Sequence, residues 1–182
     1  MSRITVVTQN DATPDQKELL DAIQGQLGMV PNFLGILAHS TDALKAFLGL
    51  HGIAGSGDLD PQTRERIALA IAQSNSCEYC VSAHSAIGRK AGLSTEEMNA
   101  NRAGTSQDVK AAAAVVFANA LNENLGEVTQ SEFDAVRAAG YSDGEIVEII
   151  THVGMNILTN LIGKATWVDI DFPKVSLKQE AA

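Results

Sequence analysis

The strongest constraint on the fold is a set of helix-start signals that recurs along the chain. Three segments place Ser or Thr three residues before Glu, the capping-box pattern in which the two side chains satisfy each other's backbone amides, and they begin at Ser94, Thr129 and Ser142. Two more signals place Pro directly after a capping residue, at Thr13 and Asp60. Apolar residues with helical spacing follow these signals, whereas no useful length of sequence alternates apolar and polar residues as a strand would. The sequence therefore predicts an all-α fold of about eight helices.

These helices are expected to form one domain spanning residues 1–182, with a core over about 14–173. Residues 3–8 are typical of a short extended arm. The tail that begins at Trp167 contains Pro173, so we expect it to leave the core as an irregular end. The helices with the clearest ends are predicted at 61–74, 77–91, 108–126 and 143–165.

Composition limits the partners and the location of the protein. Thirteen basic and 22 acidic residues give a net charge of -9, which argues against nucleic-acid binding and against an anionic membrane surface. No secretory signal and no apolar run of about 20 residues is present, so we expect a cytoplasmic protein without a membrane span. Charged residues make up only 19% of the chain, which favours some surface buried between subunits.

A cluster of reactive side chains lies in the segment ERIALAIAQSNSCEYCVSAH, residues 65–84. It holds Glu65, both cysteines of the chain (Cys77 and Cys80) and His84. On a helix starting at Cys77, the 100° step per residue places Cys80 and His84 within about 60° of Cys77, so the three side chains share one face. Amide groups of a first helical turn stabilise a thiolate. The pattern indicates a thiol pair that cycles between dithiol and disulfide, and Glu65 could relay protons if its helix turned it inward.

Other interpretations of these residues stay open. The two thiols could be inert core residues, because cysteine is often buried. A zinc site would need a fourth ligand and no second C-x-x-C pair exists, so we expect no metal. Taken alone, Glu65 is more typical of a solvated helix residue. The isolated histidines are expected to be structural or solvated; they are His39, His51 and His152.

The last predicted helix carries a polar stripe through an otherwise apolar sequence. Its members recur every four residues and are His152, Asn156, Asn160 and Lys164. We expect this stripe to face solvent. The alternative is a buried polar seam that lines a pocket or a subunit contact.

The spacing of the reactive cluster resembles the motif of the alkylhydroperoxidase D and carboxymuconolactone decarboxylase superfamily. That motif has Glu twelve positions before a C-x-x-C pair and His four positions after it, as Glu65, Cys77, Cys80 and His84 stand here. The segment SCEYCVSAHSAIGRKAG is most similar to the peroxidase-related branch of that superfamily. Two flanking segments, VPNFLGILAHSTDALKAFLGL and EIVEIITHVGMNILTNLIGKATWVDIDFP, extend the resemblance over most of residues 28–173.

The resemblance implies an all-α fold that assembles into homotrimers or homohexamers, and a peroxide-reducing or thiol–disulfide activity. Cys80 would attack the peroxide, Cys77 would resolve the sulfenic acid as a disulfide, and His84 with Glu65 would form the proton relay. The contact between residues four apart on a helix is the physical reason to prefer Cys80 as the attacking thiol. The decarboxylase branch lacks the C-x-x-C pair, so lactone decarboxylation fits poorly.

The resemblance also implies how the enzyme would be reduced. No bound cofactor is expected, and an external dithiol, of the lipoyl type, would regenerate the thiols. Alkylhydroperoxidase D has His between its cysteines, whereas this chain has Tyr79, so a step that needs a second imidazole lacks its group here. The alternative function is a thiol–disulfide carrier or sensor with little peroxidase turnover.

Overall fold

The computed structural model describes residues 1–178, and this part of the chain forms nine α-helices and no strand, which confirms the all-α prediction. The helices are α1 (Pro14–Leu27), α2 (Asn32–Leu37), α3 (Thr41–Ala54), α4 (Pro61–Ser74), α5 (Glu78–Lys90), α6 (Thr95–Arg102), α7 (Val109–Glu123), α8 (Gln130–Ala138) and α9 (Asp143–Thr166).

Local caps account for where most helices begin. Asp60 accepts a hydrogen bond from the amide of Thr63 at 2.9 Å and Pro61 follows it, as predicted for α4. The capping boxes at Thr129 and Ser142 are complete. The box predicted at Ser94 is only half formed: Ser94 accepts from the amide of Glu97, but the Glu97 carboxylate is turned to other partners in the interior.

Helix α4 is the centre of the molecule. It packs against α5, α6, α7 and α9, and every residue from 67 to 72 is buried. A helix enclosed on all sides has no solvent-facing stripe, so polar residues near its ends must find partners on the neighbouring helices. Glu65 and Arg66 lie in this position.

The apolar core has two main clusters that meet at α4. One cluster joins α1, α2, α3 and α5 to the tail and includes Phe33, Leu44 and both cysteines. The other joins α4, α7, α8 and α9 around Ile71 and Phe117. The cysteines therefore lie at the edge of an apolar core and not on an open surface.

The tail was predicted to leave the core, and this prediction is wrong. Residues 167–178 are not helical, but they fold back along α5. The Phe172 ring meets the Tyr79 ring edge-on with centroids 5.8 Å apart, and the amide of Val175 donates to the Ser82 hydroxyl at 3.0 Å. Burial of apolar tail side chains favours this packing, since it removes their surface from water; they are Val168, Ile170, Phe172, Val175 and Leu177.

Within residues 1–178, α9 is the one helix long and apolar enough to cross a membrane, with a mean hydropathy of 1.4 over its most apolar window. It packs against α4 and α7, and 44% of that window is buried inside the structure. A core helix of a globular protein has the same length and composition.

Candidate functional site

The two cysteines lie at the start of α5. Cys77 is the N-cap of α5. Its backbone is extended, so the helix starts at Glu78, one residue later than predicted. The Cys77 sulfur accepts a hydrogen bond from the backbone amide of Cys80 at 3.4 Å. A disulfide joins Cys77 to Cys80, whose Cα atoms are 5.3 Å apart. The residues are only 1% and 4% exposed. The two sulfurs thus lie together, buried at the N-terminus of α5.

The backbone of α9 covers the disulfide at Gly163. A Cβ atom on Gly163 would lie 3.2 Å from the Cys77 sulfur and 3.7 Å from the Cys80 sulfur. The distance to the Cys77 sulfur is tighter than ordinary van der Waals contact and the distance to the Cys80 sulfur is ordinary, so glycine allows α9 to lie directly on Cys77. Sequence reasoning did not identify Gly163. The available signal was an isolated glycine inside a strongly helical apolar pattern.

Glu65 and His84 form a pair beside the cysteines. The Nδ1 atom of His84 lies 2.8 Å from a carboxylate oxygen of Glu65, and the side chains are 22% and 15% exposed. The interpretation of Glu65 as a solvated residue is therefore wrong, because the packing of α4 on α5 turns its carboxylate toward the imidazole. A carboxylate on Nδ1 fixes the orientation of the ring and leaves Nε2 for a second partner.

The predicted contact between Cys80 and His84 is present only as a shared helix face. His84 lies one turn after Cys80 on α5. No hydrogen bond joins the Cys80 sulfur to the imidazole in the part of the chain that the structure describes. Bonding to Cys77 leaves the Cys80 sulfur without a thiol hydrogen to donate to His84. A direct contact between Cys80 and His84 therefore stays a prediction for the dithiol form.

Tyr79, between the two cysteines in the sequence, packs against aromatic rings of α2 and the tail. Its hydroxyl accepts from the amide of Phe33 at 3.3 Å, and its ring lies between those of Phe33 and Phe172, with centroids 6.1 and 5.8 Å away. Burial, with the negative charge of Asp171, raises the pKa of Tyr79 above its usual value. Tyr79 therefore anchors α5 to α2 and the tail.

The polar stripe of α9 was expected to face solvent, and this expectation is wrong for three of its four members. His152, Asn156 and Asn160 are 4%, 3% and 2% exposed, because α3, α4 and α7 enclose this face of the helix. The alternative of a buried seam is correct for them. Only Lys164 is exposed, and its ammonium donates to the carbonyl of Asn75 at 2.6 Å.

The other histidines are separate from the thiols. His39 lies 2.7 Å from the carbonyl of Thr5, and the His152 ring lies 3.2 Å from the carbonyl of Ala54 beside a cavity of about 320 Å³. Burial lowers the pKa of His152. His51 is exposed at the end of α3 with its ring 5.8 Å from that of Phe47, and lost hydration, followed by the charge of His84, lowers the pKa of His51.

Within residues 1–178, no three His, Cys, Asp or Glu side chains come together as ligands for a metal ion. The groups that the site does bring together are two cysteine sulfurs, an imidazole and a carboxylate. A thiolate at a helix N-terminus can act as a nucleophile, and an oriented imidazole can move a proton to or from it.

Residues 41–123 match the model of the carboxymuconolactone decarboxylase family. An uncharacterized peroxidase-related protein from Ralstonia eutropha JMP134, with an alkylhydroperoxidase AhpD core, is similar at TM-score 0.83 and 25% identity over 93% of this chain and 92% of its own. A peroxidase-related protein from Silicibacter sp. TM1040 is similar at TM-score 0.79 and 25% identity over 87% of both chains.

The fold also occurs in the debrominase Bmp8, whose structure contains 2,3,4-tribromopyrrole. The similarity has TM-score 0.78 and 22% identity over 92% of this chain and 91% of Bmp8, and it concerns the fold alone. No protein of curated function matches the sequence.

Proposed function

We propose that the chain is a thiol-dependent peroxidase of organic hydroperoxides or hydrogen peroxide, within the alkylhydroperoxidase D and carboxymuconolactone decarboxylase superfamily. The match of residues 41–123 to the carboxymuconolactone decarboxylase family and the fold shared with a peroxidase-related protein support this proposal. The observation that carries this proposal is the contact between His84 Nδ1 and the Glu65 carboxylate, which are 2.8 Å apart. His84 lies one helical turn after Cys80 on α5. A reactive thiol, a resolving thiol and an oriented imidazole are the groups that such a cycle needs.

The cycle has three balanced steps. The Cys80 thiolate attacks the peroxide O–O bond, which forms a sulfenic acid, and the alkoxide leaves as an alcohol after taking a proton from His84. The Cys77 thiol then condenses with the sulfenic acid, so that a disulfide forms and water leaves. An external dithiol reduces this disulfide by thiol–disulfide exchange and becomes a disulfide itself.

The choice of Cys80 as the attacking thiol rests on its position. His84 follows Cys80 by four residues on α5, one turn along the same face, so its imidazole is placed to exchange a proton with the Cys80 sulfur. Cys77 is the N-cap and lies against Gly163, which suits a resolving role.

The reductant is part of the proposal. A lipoyl-type dithiol fits because no resident cofactor is needed, and a dithiol completes exchange with a buried disulfide without leaving a mixed disulfide behind. Tyr79 packs against aromatic rings, so a step that depends on a second imidazole would have to use another group.

The alternative is a disulfide carrier or sensor with little peroxidase turnover. The near-complete burial of both sulfurs restricts a peroxide and an external dithiol alike, so burial does not separate the two functions. Bmp8 catalyses debromination on the same fold, so the fold does not define the reaction.

A steady-state assay tests the proposal. Purified protein should consume a hydroperoxide in the presence of dithiothreitol, and Cys80→Ser should abolish turnover. Cys77→Ser is the matched control: it should retain one turnover and accumulate a sulfenic acid on Cys80 that a dimedone probe traps. Wild-type turnover in Cys80→Ser would refute the assignment, and a disulfide that forms without steady turnover would favour the carrier.

A homotrimer or homohexamer in the cytoplasm remains a prediction. It is supported by an apolar stripe on the outer face of α9, where Val147, Ile150, Leu158 and Leu161 are 62%, 42%, 41% and 62% exposed. Leu161→Glu should shift the protein to a monomer in light scattering. Val116→Glu, on the exposed face of α7, is the control and should not. A monomeric wild type would refute the assembly.

A further inference from the structure

The turn between α4 and α5 is held by side chains from two other helices. The side-chain nitrogen Nδ2 of Asn75 donates to the side-chain oxygen of Asn122 on α7 at 2.9 Å and to that of Asn160 on α9 at 3.0 Å. Asn122 donates back to the Asn75 side-chain oxygen at 3.0 Å. The ammonium of Lys164 donates to the Asn75 carbonyl at 2.6 Å. Asn75 thus makes four hydrogen bonds to α7 and α9 within the described residues.

This turn delivers Cys77 to its position. Asn75 is followed by Ser76, which has a left-handed φ of 54°, and the amide of Cys77 then donates to the carbonyl of Ala72 at 2.9 Å. A non-glycine residue in the left-handed region is strained and persists where its surroundings hold it there. The bonds to Asn75 supply that support one residue before Ser76.

The same part of α9 covers the sulfurs. Gly163, which lies against Cys77 and Cys80, stands between Asn160 and Lys164 in the sequence. One turn of α9 therefore both contacts the disulfide and holds the turn that presents Cys77. This accounts for the C-terminal half of the polar stripe.

We infer that Asn75, together with Asn122, Asn160 and Lys164, positions the Cys77 sulfur against Cys80 and thereby stabilises the disulfide relative to the dithiol. The inference rests on the proposed function in one respect, because it takes Cys77 and Cys80 to cycle between the dithiol and the disulfide. In exchange with an external dithiol, one protein disulfide and one dithiol become one protein dithiol and one external disulfide. A held Cys77 raises the effective concentration of one sulfur near the other, and a loose turn lowers it.

The test is the dithiol–disulfide equilibrium in buffers of reduced and oxidised dithiothreitol, read by alkylation and mass spectrometry. Asn75→Ala should shift the equilibrium about tenfold toward the dithiol, which corresponds to about 30 mV for a two-electron couple. Alanine accepts the backbone of this position, whose φ is -82°. Asn122→Ala, on a partly exposed residue at the end of α7, should act in the same direction and is the variant expected to fold without difficulty.

Asn156→Ala is the matched control. Asn156 is a buried amide on the same stripe, but it donates to His152 within its own helix. It should reduce the free energy of unfolding without moving the redox equilibrium. An equilibrium unchanged in both Asn75→Ala and Asn122→Ala, or moved equally by Asn156→Ala, would overturn the inference. The measurement needs no peroxide, so absent peroxidase turnover would refute the proposed function and leave this result to stand separately.

Discussion

Acid should destabilise this protein through one buried carboxylate, that of Glu97. Its oxygens accept from the Arg66 guanidinium at 2.7 Å, the Asn101 amide at 2.9 Å, the Ser106 hydroxyl at 2.5 Å and the Gln107 backbone amide at 2.8 Å. Glu97 is 5% exposed. Burial opposes ionisation, but these hydrogen bonds outweigh it and lower the pKa of Glu97 to about 2.

The size of the effect follows from linkage. A carboxyl group whose pKa is depressed by folding stabilises the folded state above its unfolded pKa, here 4.5, and this contribution is lost as the pH falls toward the folded pKa. The difference between 4.5 and about 2 corresponds to about 3 kcal/mol. Unfolding should therefore become easier by that amount between pH 5 and pH 2 because of Glu97 alone.

Urea unfolding at several pH values between 7 and 2 measures this. In Glu97→Gln the side chain no longer titrates, so the loss of stability on acidification should be about 3 kcal/mol smaller than in the wild type. At pH 7 the variant should be less stable by about 3–5 kcal/mol, since Arg66 is left buried without its counter-charge. Glu96→Gln, on an exposed residue of the same helix, should follow the wild type at every pH.

Parallel curves for the wild type and Glu97→Gln would contradict the reasoning. They would mean that Glu97 binds its proton equally well in the folded and unfolded chains. The double variant Arg66→Met with Glu97→Gln separates the two terms, because it removes the buried positive charge and should recover part of the stability lost at pH 7.

Four further substitutions test the site. His84→Asn should lower kcat/KM for a hydroperoxide about 10²–10⁴-fold, and Glu65→Gln should lower it less and alter its pH profile, since Glu65 acts through the imidazole. Gly163→Ala should reduce the free energy of unfolding by about 1–3 kcal/mol, because its Cβ would press on the Cys77 sulfur. Gly154→Ala on the same helix is the control: its Cβ would meet no atom within 4 Å, so the free energy of unfolding should stay unchanged or rise. Equal effects of the two substitutions would refute the close contact with the sulfur. Tyr79→Phe should cost about 1 kcal/mol of stability and keep the turnover rate, and a large loss of turnover would give Tyr79 a chemical role.

Much of the helical structure was predictable because its signals are local. The start of α4 at Pro61 and of α9 at Asp143 follows from a capping residue and its next neighbours in the chain. The common face of Cys80 and His84 is also local, since helix geometry alone relates residues four apart.

The predictions that proved wrong concerned which side chains are buried. The polar stripe of α9 was expected to face solvent, but its sequence does not reveal that α3, α4 and α7 surround it. The tail from Trp167 was expected to leave the core, although its apolar residues return to α5. Whether a side chain is buried depends on which distant elements pack on it, and one helical or irregular segment does not contain that information.

The sequence by itself determined the helices, their caps and the placing of two thiols and an imidazole on one face. Only the tertiary structure decided that Glu65 meets His84, that Gly163 lies on the sulfurs and that Asn160 holds the turn before Cys77. The physical reason is distance along the chain. Backbone hydrogen bonding within a few residues sets a helix, whereas contacts between residues 19 or 85 positions apart exist only after the helices have packed.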